Sequence, residues 1–141
     1  MFFAISRRDE LRRRYAEAWR RQREGLPLEP LDAQIADVIA QHPEYHDLLE
    51  SPDSLAGEFT VEQGRVNPFL HMGLHLAIRE QVATRRPPGI EQVHQRLAAS
   101  LGSVLEAEHR MIEVLAETLW EAQRAGRAPD ESRYLERLRR L

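Results

Sequence analysis

Apolar residues recur along most of the chain at intervals of three and four, and no stretch alternates strictly enough to read as a strand. Leu11, Tyr15, Ala18, Trp19 and Gln22 share one stripe, predicting a first helix from about Ser6, its cap, to Arg23. Gly25 to Pro30 form a linker with a glycine stop and two prolines. A second helix should begin near Leu31 or Asp32 and bury Ile35, Val38 and Ile39. His42 precedes Pro43, which disfavours the α conformation, so the helix should end or kink there. Pro43 can open a short continuation through His46, Leu48 and Leu49. Residues 54–66 read as a loop holding at most one helical turn, with Gly57 and Gly64 as turn signals.

The central stretch is Asn67–Gln81, predicted to form a helix over about 68–84. Asn67 is a helix cap and Pro68 suits the first helical position. Phe69, Leu70, Met72, Leu74, Leu76, Ala77 and Ile78 make it apolar nearly all round, the mark of a helix buried on most sides. Arg85-Arg86-Pro87-Pro88-Gly89 stops it. Residues 90–125 then carry helical spacing through Ile90, Val93, Leu97, Leu101, Leu105, Ile112, Leu115 and Leu119, as one long helix or as two joined at Gly102. Asp130 caps a last helix with Tyr134, Leu135, Leu138 and Leu141. The pattern predicts an all-α protein, an antiparallel helical bundle of about four to six helices, forming a single domain over residues 1–141.

Composition narrows the chemistry. The net charge of −3 gives no field that favours nucleic acid or an anionic membrane. All 20 basic residues are arginine, so no lysine can serve as a Schiff base or general base. With no cysteine, there is neither disulfide nor nucleophilic thiol, and a bound metal must take nitrogen and oxygen ligands. The first residues turn charged too soon for a signal peptide, and no run reaches the length of a membrane span, so a cytoplasmic location is expected and a membrane is not an expected partner. There is no glycine-rich phosphate loop, no nucleophile elbow and no HExxH zinc-protease motif.

What remains is histidine. Among six histidines, His71 and His75 stand four apart on the apolar central helix, on one face. Imidazoles in such surroundings need hydrogen-bond partners or a metal. His42 and His46 form a second pair at the same spacing, and His109 closes a Glu106-x-x-His109 arrangement. The metal-ligating set read from the sequence is His71, His75 and His109, with Glu106, His42 and His46 completing or supporting it. Zinc, iron, nickel or manganese in the divalent state would suit such donors. Each member has a plainer role as well: Ser103-x-x-Glu106 is also a capping box, and His42 and His46 also fit a helix end. Glu113 shares a helix face with Glu106 and His109 and stands behind the set, while the plainer reading of Glu108, Glu113 and Glu117 is that they face water. Glu80 lies about 140° round the helix from His75 and drops out.

Several words in order are distinctive: His42-Pro43-Glu44-Tyr45-His46, Asn67-Pro68-Phe69-Leu70-His71, Pro87-Pro88-Gly89-Ile90, Glu108-His109-Arg110-Met111 and Leu119-Trp120-Glu121-Ala122. Together they resemble a bacterial family known as domain of unknown function 1841, over nearly the whole chain. The resemblance implies a small single-domain cytoplasmic protein and brings no activity with it. An HxxxH helix with a distant histidine also looks like the DinB-type metal-binding bundles, and Glu106-x-x-His109 like half of a ferritin-type site whose second half is missing here. These likenesses of architecture transfer no reaction.

Three functions follow as expectations. The first is a divalent-metal-binding bundle, with metal-dependent activity if a coordination position stays open. The second is a structural or regulatory module, a homo-oligomer or a partner-binding protein, docking through Tyr15 and Trp19 or through residues 134–141. The third, least favoured by the net acidity, is nucleic-acid binding through the arginine-rich first helix.

Overall fold

A computed structural model of the chain describes residues 2–51 and 67–141. The loop expected over 54–66 lies outside them. The described residues are all-α: α1 (Phe2–Arg23), α2 (Pro30–Ala40), a single 3-10 turn (Pro43–Tyr45), α3 (His46–Glu50), α4 (Pro68–Thr84), α5 (Ile90–Leu101), α6 (Val104–Ala125) and α7 (Glu131–Arg139). That makes seven α-helices among the described residues, which corrects the expected four to six. The excess comes from local breaks that leave the three-to-four spacing of apolar residues undisturbed. His42, held before Pro43 at φ −127° and ψ 69°, ends one helical path, and α3 starts another after the 3-10 turn. Gly102 takes the left-handed conformation at φ 69°, and the Ser103 hydroxyl then accepts the Glu106 backbone N–H at 3.1 Å. Residues 90–125 are therefore two helices. None of the described helices is long and apolar enough to cross a membrane.

The chain divides into two compact units, Met1–Gly73 and Leu74–Leu141, with the boundary inside α4. In the first unit, α1 begins at Phe2, ahead of the expected Ser6 cap. Its buried face is Arg12, Tyr15, Ala18 and Trp19, while Leu11, expected on that face, is exposed. The shift of register has a partner to explain it: the Arg12 guanidinium lies over the Phe69 ring, 4.9 Å from its centre, where the cation meets the negative face of the ring. Trp19 donates its indole N–H to Glu50 at 3.0 Å, tying α1 to α3. Tyr15 and Trp19 thus pack within this unit and offer no free docking face. Ile35, Ala36, Val38 and Ile39 give α2 its buried side. On the outer face of α1, Arg20 bridges Glu17 at 2.6 Å and Glu24 at 2.7 Å, and Arg14 reaches Asp32 at 2.8 Å.

The second unit is built on Ile78, Ile90, Val93, Leu97, Ala107, Met111, Ile112, Leu115, Tyr134 and Leu138. Tyr134 donates its hydroxyl to the Gln81 side-chain oxygen at 2.6 Å, which joins α7 to α4. Arg137 holds both oxygens of Glu121 at 2.9 Å, joining α7 to α6. The Asp130 carboxylate accepts the Arg133 N–H at 3.1 Å and starts α7.

Candidate metal centre

Asn67 opens α4 by accepting the backbone N–H groups of Phe69 at 3.0 Å and Leu70 at 3.2 Å. Four orphan donors at a helix start need such acceptors, and Pro68 between them has none to satisfy. The helix is less uniformly buried than its composition suggests: Leu70 is exposed, and the fully buried positions are Met72, His75 and Ile78, three apart. His75 therefore sits in the middle of the buried stripe, and His71 one turn earlier is partly covered.

Within the first unit, His42 is buried, and its Nδ1–H donates to the Val38 carbonyl oxygen at 2.7 Å. A carbonyl can only accept, so the proton belongs to Nδ1 and Nε2 carries the lone pair. The His42 ring stands edge-on to that of His71, with centres 5.1 Å apart, and is stacked parallel to Tyr45 at 5.5 Å. Burial, reinforced by Glu44, pushes the Tyr45 phenol above its ordinary value and keeps it protonated.

Within the second unit, the Nδ1–H of His75 donates to Glu108 Oε1 at 2.8 Å. Glu108 is itself buried and is held from the other side by Arg79, through Nε to Oε2 at 2.9 Å and a terminal nitrogen to Oε1 at 3.2 Å. Burial pushes the Glu108 carboxyl up, but the hydrogen bonds from His75 and Arg79 and the Arg79 charge pull it down by more, so it is ionised. That again leaves Nε2 of His75 as the basic nitrogen. His109 stands edge-on to His75 with ring centres 4.9 Å apart.

The group of described residues that could hold a metal ion is His42 and His71 in the first unit and His75 and His109 in the second, each offering a ring nitrogen. The remaining two sequence candidates lie outside that group. His46 donates Nε2–H to the Ile39 carbonyl oxygen at 2.8 Å and packs against the Trp19 ring at 4.4 Å, which is a helix-joining role. Glu106 sits in the first turn of α6, where Ser103 caps its backbone N–H; its exposed carboxylate approaches His109 Nδ1 at 3.5 Å. Glu113 and Glu117 are exposed, and Glu113, read as standing behind the set, is not in the group. Glu108 is not exposed, and the expectation that it would face water is corrected: at three, four and seven residues before Met111, Ile112 and Leu115, it lies on the buried stripe of α6. That spacing was present in the sequence, but a carboxylate on an apolar stripe is uncommon enough that its charge outweighed its position.

The helices and the cluster define a small all-α protein with a histidine-based candidate metal site. The chain belongs to the family described as domain of unknown function DUF1841, whose model matches residues 7–140. No curated protein and no solved structure matches it.

Proposed function

We propose that the protein binds one divalent transition metal through His42, His71, His75 and His109. What supports this is that His71 and His75 stand one turn apart on the single helix α4, His71 beside His42 in the first unit and His75 beside His109 in the second, four imidazoles able to hold an ion. The hydrogen bonds add support. Metal-bound histidines commonly donate their second N–H to a backbone carbonyl or a carboxylate, and His42 and His75 do one each. A set made of nitrogen alone suits zinc, nickel or iron(II) better than manganese, which prefers oxygen. Four imidazoles would close a tetrahedron and make a structural site. If the partly exposed His109 gave way, three would remain around an open position where a bound water becomes reactive.

The experiment is metal analysis of protein purified without an affinity tag that binds metals. About one equivalent of metal is expected, and it should disappear in His75→Ala and His42→Ala. Substoichiometric metal that the substitutions leave unchanged would sink the proposal. A second reading, a structural module in which these rings only hydrogen-bond, draws on the same bonds of His42 and His75, and it predicts stability indifferent to metal and chelator. On the exposed face of α1, Glu17, Glu24 and Asp32 engage Arg14 and Arg20, which weakens the case for nucleic acid there.

A further inference from the structure

The two buried histidines of the proposed site are oriented by acceptors of different kinds. His42 gives its Nδ1–H to a neutral backbone carbonyl. His75 gives its Nδ1–H to a carboxylate, and that carboxylate is buried on α6 with Arg79 of α4 bonded to both of its oxygens. Satisfying one ring N–H needs no charge, as Val38 demonstrates for His42. Placing a carboxylate in the interior is costly unless it is paired and hydrogen-bonded, and here an arginine is placed one turn beyond His75 to do that. A carboxylate behind an imidazole locks the tautomer, fixes the plane of the ring and makes the opposite nitrogen a stronger donor.

We infer that Glu108, held by Arg79, is a positioning residue for the metal, setting His75 Nε2 as the strongest donor of the four; this rests on the metal-binding reading above. Glu108 acts through His75 and does not itself touch the ion. Arg79 acts one step further back, by bonding both carboxylate oxygens and so keeping Oε1 aimed at the ring. The two buried histidines are consequently not equivalent: the one backed by charge contributes more to affinity than the one backed by a carbonyl.

The test uses the full chain, stripped of metal and titrated with zinc(II) against a chromophoric chelator and with cobalt(II), read by its visible absorption. Glu108→Gln keeps the size of the side chain and removes the charge; it should weaken zinc binding about 10- to 100-fold and shift the cobalt bands. Arg79→Gln should do both to a smaller degree, and Glu108→Asp, which keeps the charge, should recover part of the loss. A merely structural carboxylate would alter unfolding but leave the cobalt spectrum of the folded protein where it was. Wild-type affinity and spectrum in Glu108→Gln would overturn the inference while the metal-binding reading stands. If Glu108→Gln yields no helical circular dichroism signal, Arg79→Gln decides on the same two readouts, and an unchanged affinity and spectrum there overturns it. A wild-type protein that takes up neither metal overturns the reading beneath it, and the inference with it.

Discussion

The Nδ1 atom of His75 lies 2.8 Å from Oε1 of Glu108, both side chains almost wholly shut off from water. This contact joins α4 to α6 through a buried polar bond, and Arg79 completes it at the surface side. A charge sequestered in this way is sensitive to the loss of any partner.

Acid should act on that contact. A carboxyl whose folded value is depressed contributes stability above its ordinary value of 4.5 and loses it as the pH falls through the folded value. The protein's unfolding free energy, measured by urea titration, should therefore decline as the pH is lowered below about 4.5. In Glu108→Gln that part of the decline should be absent. A variant with the same acid slope as the wild type would mean other carboxylates carry it. At neutral pH, Arg79→Ala should cost about 1–3 kcal/mol, less than a fully buried partner would, because the Arg79 side chain remains 20% exposed.

Alkali should act on α1. Burial pushes the Tyr15 phenol up to about 12 from 10.0, so the fold favours the neutral form. The corresponding stability is complete below pH 10 and is lost as the pH rises through about 12. The loss amounts to about 2–3 kcal/mol at the upper end. Tyr15→Phe should flatten this alkaline decline in an unfolding titration, leaving the share of Tyr134, which burial also raises.

The break between α5 and α6 should be measurable as a cap. Ser103→Ala removes the acceptor for the Glu106 N–H and should destabilise by about 1 kcal/mol. Gly102→Ala must place a side chain at φ 69° and should cost about 1 kcal/mol for that strain, although open space surrounds the position. Chemical denaturation of the two variants checks both values, and an unchanged midpoint for Gly102→Ala would speak against a fixed break.

Metal should separate the members of the proposed set from their neighbours. A ligand that binds the folded state alone stabilises it by about 2.7 kcal/mol at a hundredfold excess over its dissociation constant. Zinc should accordingly raise the melting temperature of the wild type, of His46→Ala and of Glu106→Ala. It should leave His42→Ala and His75→Ala unmoved. Loss of the zinc response in His46→Ala, whose ring is engaged with Ile39 and Trp19, would mean the set is drawn wrongly.

Much of this protein can be read in its spacing. The three-to-four periodicity is a local property of a helix, and it marks α2, α4, α6 and α7 because each buries a single face. Caps are local as well: Asn67 before Pro68, Ser103 before Glu106 and Asp130 before Arg133 each satisfy a donor two or three residues away. The pairing of His71 with His75 on one helical face belongs to the same category. The number of helices was harder to read, because a left-handed Gly102 and a pre-proline His42 break the backbone while the hydrophobic stripe continues past them.

What the residues meet across helices could be decided only by tertiary structure. His46 and His42 look alike in sequence, yet one packs on Trp19 and the other against His71, because the 3-10 turn after Pro43 rotates them apart. Glu106 and Glu108 are two residues apart on α6, so they point to opposite sides: one ends in water and the other beneath His75. Sequence alone determined the helical class and the histidine face of α4, since both follow from neighbours along one helix. Which acid orients which ring depends on helices distant in the chain, and that the packing decided.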